Sequence, residues 1–332
     1  MMNNKLLTFS VAAYNVEKYL DKLLKSITAA KRSDLIEVLV VNDGSKDRTA
    51  VIAKEYETKF PGIVRLVDKE NGGHGSTINR GIKEATGKYF RAVDGDDWVD
   101  TDALNKIMEN LGALEVDVVL MDYKICYEAG PTVVEKTASM ESGQVYEFED
   151  AIAKLDYMRY HAVIYRTEFL RENNISLDEH CFYVDTEYML YAIPKIKTIV
   201  YYEYPLYCYR IGLGEQSVSN EGRRKHIRDG KKVAESLQTF YKKHVATLSD
   251  ARKNYIENGL AAHCSFQFNS LMLFKANKEH RDELVAFDKM INSEMPRVYE
   301  KMNSMSKTIV VLRKSNYLAY WPVQWVKQIK GA

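Results

Sequence analysis

The chain has 332 residues, 46% hydrophobic and 28% charged. This is the make-up of a soluble globular protein with room for one large domain and an appendage, or for two domains. Cys126, Cys181, Cys208 and Cys264 show no paired spacing, which argues against a disulfide framework or a zinc site and fits reduced thiols in the cytoplasm. The opening MMNNKLLTFSVAAYN runs straight into a strand pattern, and no stretch approaches the roughly 20 apolar residues of a bilayer span, so neither secretion nor membrane insertion is expected.

The net charge of +1 hides two unlike parts. Residues 1–219 hold 26 Lys and Arg against 35 Asp and Glu, whereas residues 220–332 hold 21 against 11. An acidic front and a basic rear point to different partners. No nucleic-acid partner is expected; the basic rear suits anionic lipid or phosphate, or simply a solvated helical surface.

In chain order, residues 6–12 read as a first buried strand, followed by a helix face of Val16, Tyr19, Leu20, Leu23, Leu24 and Ile27. Residues 36–41 form a second strand ending on Asn42-Asp43-Gly44-Ser45, with Ser45 or Asp47 placed to cap the next helix. Residues 63–67 give a third strand. The glycine turn at residues 71–75 is not a dinucleotide fingerprint and reads as a strand-to-helix turn needing positive φ. A helix over 76–85 then leads to a strand over 88–93. Strands alternating with helices predict a mostly parallel α/β sheet, with ligands beyond the strands' carboxyl ends. Tyr14-Asn15, Asp43-Gly44-Ser45 and Asp94-Gly95-Asp96-Asp97 collect there.

The last of these carries the most chemistry. Three carboxylates at a strand end repel one another, and a hard divalent cation with oxygen ligands, Mn²⁺ or Mg²⁺, is their simplest partner. The plainer reading is an acidic turn that ends a strand while Thr101 or Asp102 caps the following helix.

Further strands are expected over 116–123, 161–166 and 198–209, a helix over 148–157, and turns over 125–145. Asp185 falls near the start of a helix, either as a reactive acid or as an N-cap, with Glu187 the second choice. His74 and His161 each stand alone and read as ordinary hydrogen-bonding residues. Beyond residue 220 the pattern is helical over 223–244, 249–275 and 278–299, broken near Asn277 and at Pro296. A final segment, 309–329, mixes Tyr317, Tyr320, Trp321 and Trp325 with basic residues. That mixture suits a membrane-surface helix, packing on the protein itself, or a dimer interface.

Three elements, VAAYNVEKYL, VNDGSKDRT and NGGHGSTINRGIKEATGKYFRAVDGDD, in that order and spacing, resemble the bacterial family-2 glycosyltransferases of the GT-A fold over about residues 6–219. The resemblance implies an α/β, GT-A type mostly parallel sheet flanked by helices, with an added C-terminal helical region. It implies a catalytic domain over 1–219, with a nucleotide-sugar half to about residue 122 and an acceptor half to 219, and a helical region over 220–332. The activity implied is inverting transfer from a nucleotide diphosphate sugar, typically UDP-linked, to an acceptor hydroxyl. Cell-surface polysaccharide or glycoconjugate synthesis on a carbohydrate or lipid-linked acceptor would be the setting. The place implied is the cytoplasm, with peripheral contact at the inner face of the membrane and homo-oligomers as options.

Carried over residue by residue, Asp43 would accept a hydrogen bond from the base and Tyr14 would lie near it. Asp94 and Asp96 would be the ends of the metal-binding motif, with Asp96 the more direct ligand through the diphosphate. Asp97 would touch the sugar or support the loop, Asn79 and Arg210 would serve the donor, and Gln216-Ser217 would belong to a closing loop. Asp185 would be the catalytic base. The chain departs from the pattern at Ala12-Ala13, where Pro is common, at Ile78, where Arg is common, and at Val184, where Glu is common. Arg80, Arg210 or His74 would then supply the missing diphosphate contact. A sugar-nucleotide nucleotidyltransferase is the rival enzyme, but VAAYNVEKYL lacks its Gly-rich basic loop. A non-catalytic nucleotide-sugar-binding protein is the other rival, against which the intact Asp43, Asp94, Asp96 and Asp185 argue.

Overall fold

The computed structural model describes residues 5–155, 157–212 and 217–329. The chain divides into two compact units near residue 213, where the sequence pattern places the boundary at 219.

The first unit opens with β1 (Leu7–Ala13), α1 (Leu20–Thr28), β2 (Ile36–Asp43), α2 (Thr49–Lys59), β3 (Val64–Lys69), α3 (His74–Glu84) and β4 (Tyr89–Asp94). These strands run parallel in the order β3-β2-β1-β4. Every residue of β2 is buried, as a strand covered by helices on both faces must be. The mostly parallel sheet therefore forms where the alternation predicts it.

A short β5 (Trp98–Val99) and α4 (Thr101–Leu111) follow. The cap of α4 is Asp100, whose carboxylate accepts from Ala103 N at 2.9 Å. Neither Thr101 nor Asp102 fills that place, because Asp100 is the last residue with extended backbone.

β6 (Val118–Tyr127) continues through the stretch expected to be turns, because its outer half pairs with β7 (Thr132–Glu135) and with the last strand. Next come β8 (Val145–Glu147) and α5 (Phe148–Ala151), which is shorter than expected and passes into a 3₁₀ turn over Ile152–Lys154. β9 (Val163–Arg166) begins two residues later than expected. The buried Arg91 donates to the carbonyls of His161 and Val163, and residues Tyr160–Ala162 close into a 3₁₀ turn there. α6 (Thr167–Glu172), α7 (Asp185–Leu190) and β10 (Thr198–Ile211) complete the unit. β9 lies antiparallel between β4 and β6, joining the parallel front to the parallel β6–β10 pair.

The second unit is helical: α8 (Asn220–Lys225), α9 (Ile227–His244), α10 (Asp250–Leu271), α11 (Lys278–Glu294), α12 (Pro296–Met305), α13 (Lys307–Lys314) and α14 (Tyr320–Ile329). Leu237, Ile256, Leu260, Phe268, Leu284, Ile291, Met302 and Leu312 form its core. Within it Asp288, fully buried, receives Arg313 at 2.6 Å and the Tyr317 hydroxyl at 2.6 Å. Pro296 opens α12 at its first turn, so the helical pattern breaks where the sequence places the break. Among the described residues no helix is long and apolar enough to cross a membrane.

Candidate active site

The carboxyl ends of β1, β2 and β4 carry the residues singled out from the sequence. The first two loops are laced together. Asn15, with φ of 52°, donates its N–H to Ser45 Oγ at 3.0 Å and accepts from Lys46 N at 2.8 Å, while Glu17 N reaches Asp47 Oδ2 at 3.0 Å. Ser45 and Asp47 thus bind the neighbouring loop, and Asp47 Oδ1 also accepts from Thr49 N at 2.9 Å, which satisfies the first N–H of α2. Tyr14 stands 51% exposed at the rim.

Asp43 closes β2 almost without solvent contact. Its Oδ1 accepts from Lys69 Nζ at 2.6 Å and Gly72 N at 2.9 Å, and its Oδ2 from Gly73 N at 2.8 Å. This carboxylate organises the glycine turn, and Gly73 has φ of 81° as the turn requires. A carboxylate offers about four lone-pair positions, so Oδ2 keeps capacity for one more donor.

The turn delivers His74 to the end of β4. His74 Nε2 lies 2.9 Å from Asp94 Oδ1, which also accepts from Tyr160 Oη at 3.2 Å. Burial alone would lower the His74 pKa, but the Asp94 charge reverses this and holds the imidazole above its ordinary value. Asp97 is buried, accepting from Tyr207 Oη at 2.6 Å and from Arg210 N at 2.7 Å. Burial, then the charges of Asp96 and Asp94, push its pKa well up.

Asp96 differs from both. No hydrogen bond from another described residue reaches its carboxylate, and burial followed by the Asp94 charge raises its pKa to about 6. A half-buried acid held near a second acid is a setting that a divalent cation relieves. Asp94, Asp97 and His161 also offer ligand atoms within 4.8 Å of one another. In that set the Asp97 oxygens already serve Tyr207 and Arg210, and His161 stacks on Tyr209 with centroids 4.1 Å apart. Oxygen ligands from Asp94 and Asp96 suit a hard cation better.

Arg210 is anchored beside this loop. Its Nε donates to the Asp96 carbonyl at 2.9 Å, its Nη1 meets Glu128 at 2.5 Å, and its guanidinium lies over the Trp98 ring at 4.9 Å. Of the other groups expected to replace the missing Arg, Arg80 pairs with Glu84 and His74 with Asp94. Ile78 is buried. Gln216 lies outside the described residues.

Asp185 opens α7, is exposed, and does not cap the helix. Glu187, the second choice for an acid here, is fully buried and accepts from Asp178 N at 2.8 Å, so it supports the loop. The charges of Asp97, Asp94, Asp96 and Asp185 all bear on Tyr209, whose hydroxyl burial has already pushed upward. Asp185 also bears on His74. These four carboxylates therefore lie within electrostatic reach of Tyr209, and Asp43 is linked to them through the turn that carries His74.

Asn79, expected to serve the donor, makes its hydrogen bonds to a neighbouring loop. Its amide donates to the Leu177 carbonyl at 2.9 Å and to Glu179 at 3.2 Å, and accepts from Leu177 N at 2.9 Å. Both ends of the side chain brace the loop that leads to Asp185. His180 N donates to the Gly72 carbonyl at 2.5 Å, and a Cβ at Gly75 would sit 2.1 Å from the Asp178 carbonyl. Within this loop His180 and Tyr183 have φ of 53° and 68°, a strained state for bulky side chains. The sequence gives no sign of Lys69, Tyr160 or Tyr207 as supports. Each comes from an element remote in sequence from the acid it holds.

Residues 8–172 match the model described as Glycosyl transferase family 2. EpsH of Bacillus subtilis, named as a glycosyltransferase, is 28% identical over 262 residues, which cover 76% of this chain and 72% of EpsH. The poly(ribitol-phosphate) β-N-acetylglucosaminyltransferase TarS of Staphylococcus aureus is 29% identical over 51% of this chain, but that match spans only 29% of TarS. The crystal structure of TarS residues 1–349 with UDP-GlcNAc superposes with a TM-score of 0.69 at 20% identity, over 98% of this chain and 92% of that one. A mannosyltransferase from Pyrobaculum calidifontis, in complex with GDP-Man and Mn²⁺, gives 0.54 at 14% identity, over 98% and 87%. With the parallel front sheet, the acidic strand ends and these matches together, the chain belongs to the family-2 glycosyltransferases of the GT-A fold.

Proposed function

We propose that the chain is an inverting, metal-dependent glycosyltransferase that moves a sugar from a UDP-sugar to an acceptor hydroxyl. The acceptor would be a carbohydrate or a lipid-linked saccharide, and the setting cell-surface polysaccharide or glycoconjugate synthesis at the cytoplasmic face of the membrane. The observation that carries this reading is two kinds of acid within electrostatic reach of one tyrosine: Asp94, Asp96 and Asp97 on one loop, and on another the exposed Asp185, which no hydrogen bond from another described residue reaches. The donors in the two solved structures named above support a nucleotide diphosphate sugar, and UDP-GlcNAc supports uridine.

On this reading Tyr14 and Asp43 hold the base, Asp43 through the lone-pair capacity left on Oδ2. Asp94 and Asp96 hold Mn²⁺ or Mg²⁺, which when bound neutralises charge on the diphosphate. Asp97 keeps Tyr207 and the Arg210 backbone against the acidic loop, and Arg210 places positive charge beside the departing diphosphate. Asp185 takes the proton of the acceptor hydroxyl as its oxygen attacks the anomeric carbon and the bond to the diphosphate breaks. A single displacement of this kind inverts the anomeric configuration.

Release of nucleoside diphosphate, measured across a panel of donors with Mn²⁺ and saccharide acceptors, tests the proposal. Acceptor-dependent release of UDP from one UDP-sugar is expected. Binding of UDP by calorimetry with no transfer from any donor would instead leave a nucleotide-sugar-binding protein.

A further inference from the structure

In the second unit, α14 is buried on one side only. Tyr320 and Gln324 face inward, whereas Trp321 and Trp325, four residues apart, are 47% and 64% exposed. Leu318, just before the helix, is 76% exposed, and Val326 is also open. The purely structural reading of the sequence, in which these aromatics pack on the protein, therefore holds for Tyr317 and Tyr320 but not for the two tryptophans.

A second feature adjoins this one. Residues 224–232 of α8 and α9 present five exposed cations, Arg224, Lys225, Arg228, Lys231 and Lys232. Both features dock at the same end of α10. Arg223 of α8 donates to Ser270 Oγ at 2.9 Å, and Gln324 of α14 reaches Met272 Sδ at 3.7 Å. Arg223 is near enough to Lys327 for its charge to add to burial in lowering that ammonium.

Apolar and aromatic side chains beside a cluster of Lys and Arg match the headgroup layer of an anionic bilayer. Tryptophan and leucine enter the acyl boundary, and the cations meet lipid phosphates. A second copy is a poorer occupant. A two-fold interface brings a patch against itself, and this one would face its own positive charge. We propose that α14 and the basic stretch of α8 and α9 form a lipid-contacting surface, with Leu318, Trp321, Trp325 and Val326 seated in an anionic bilayer. This names the partner for the membrane-side setting proposed above, and its test does not depend on sugar transfer.

The full chain is sedimented with vesicles of phosphatidylcholine alone, or with phosphatidylglycerol added, while tryptophan fluorescence is followed. Binding to the anionic vesicles with a blue shift is expected, weakening as salt rises. Trp321→Ser combined with Trp325→Ser, and separately Arg228→Glu with Lys231→Glu, should each lower vesicle affinity by roughly tenfold or more. All four positions are solvent-facing, and both variants should retain nucleoside diphosphate release with a soluble acceptor, so loss of lipid binding is separable from failure of the transfer reading. Equal sedimentation with neutral and anionic vesicles, or no loss in either variant, would overturn the proposal. So would a variant whose only effect is to dissociate an oligomer.

Discussion

The two acidic loops of the cleft are held in opposite ways. Between Asp94 and Asp97 polar atoms are engaged at each step: His74 and Tyr160 on Asp94, Arg210 on the Asp96 carbonyl, Tyr207 and the Arg210 N–H on Asp97. Asp185 is exposed and makes no cap, although the loop behind it is pinned by Asn79 and by Gly72. A group that must fix a cation and a diphosphate gains from rigid placement before the substrate arrives. A group that must receive a proton needs its lone pairs open and only its backbone fixed.

That contrast can be broken at three strengths. Asp96→Asn should have the largest effect, lowering kcat/KM by more than about a thousandfold and weakening UDP binding in the presence of Mn²⁺. Calorimetry showing wild-type affinity for UDP and Mn²⁺ would remove Asp96 from the cation. Asp185→Asn comes next, with turnover down by about a hundred- to thousandfold while UDP affinity is kept. Retained turnover would take the base assignment away from it. Asn79→Ala is the mildest and the most discriminating. Losing its bonds to Leu177 should cost about 1–2 kcal/mol of stability and lower kcat about tenfold, with UDP affinity unchanged. A rise in the donor KM at constant kcat would instead return Asn79 to the donor.

The fold's front half was legible because each parallel strand is a continuous apolar run that stops on polar residues at its carboxyl end. Asp43, Asp94 and Asp96 were legible for the same reason, since their place in the sheet follows from their place in sequence. Partners were not. Nothing in the sequence ties Tyr207 to Asp97 or Tyr160 to Asp94, because those contacts depend on β10 and the turn before β9 coming back to the end of β4. Asn79 was read as a donor contact from the resemblance alone, and only the return of residues 177–179 shows which atoms its amide meets. His74 was read as an ordinary hydrogen-bonding residue without a named partner, and the structure supplies one, Asp94 at 2.9 Å. In the rear half, helical periodicity revealed the elements but could not separate Tyr320, which is buried, from its neighbour Trp321, which is not.

The close approach at Gly75 has a consequence for how such a cleft can diversify. With the Asp178 carbonyl where a methyl group would have to go, and His180 N tied to Gly72, the turn that holds Asp43 and the loop that leads to Asp185 are locked together through main-chain atoms. On the proposed function, a new acceptor would be accommodated by exchanging groups such as Phe182, which is 40% exposed, and not by redrawing the path of the backbone that supports them.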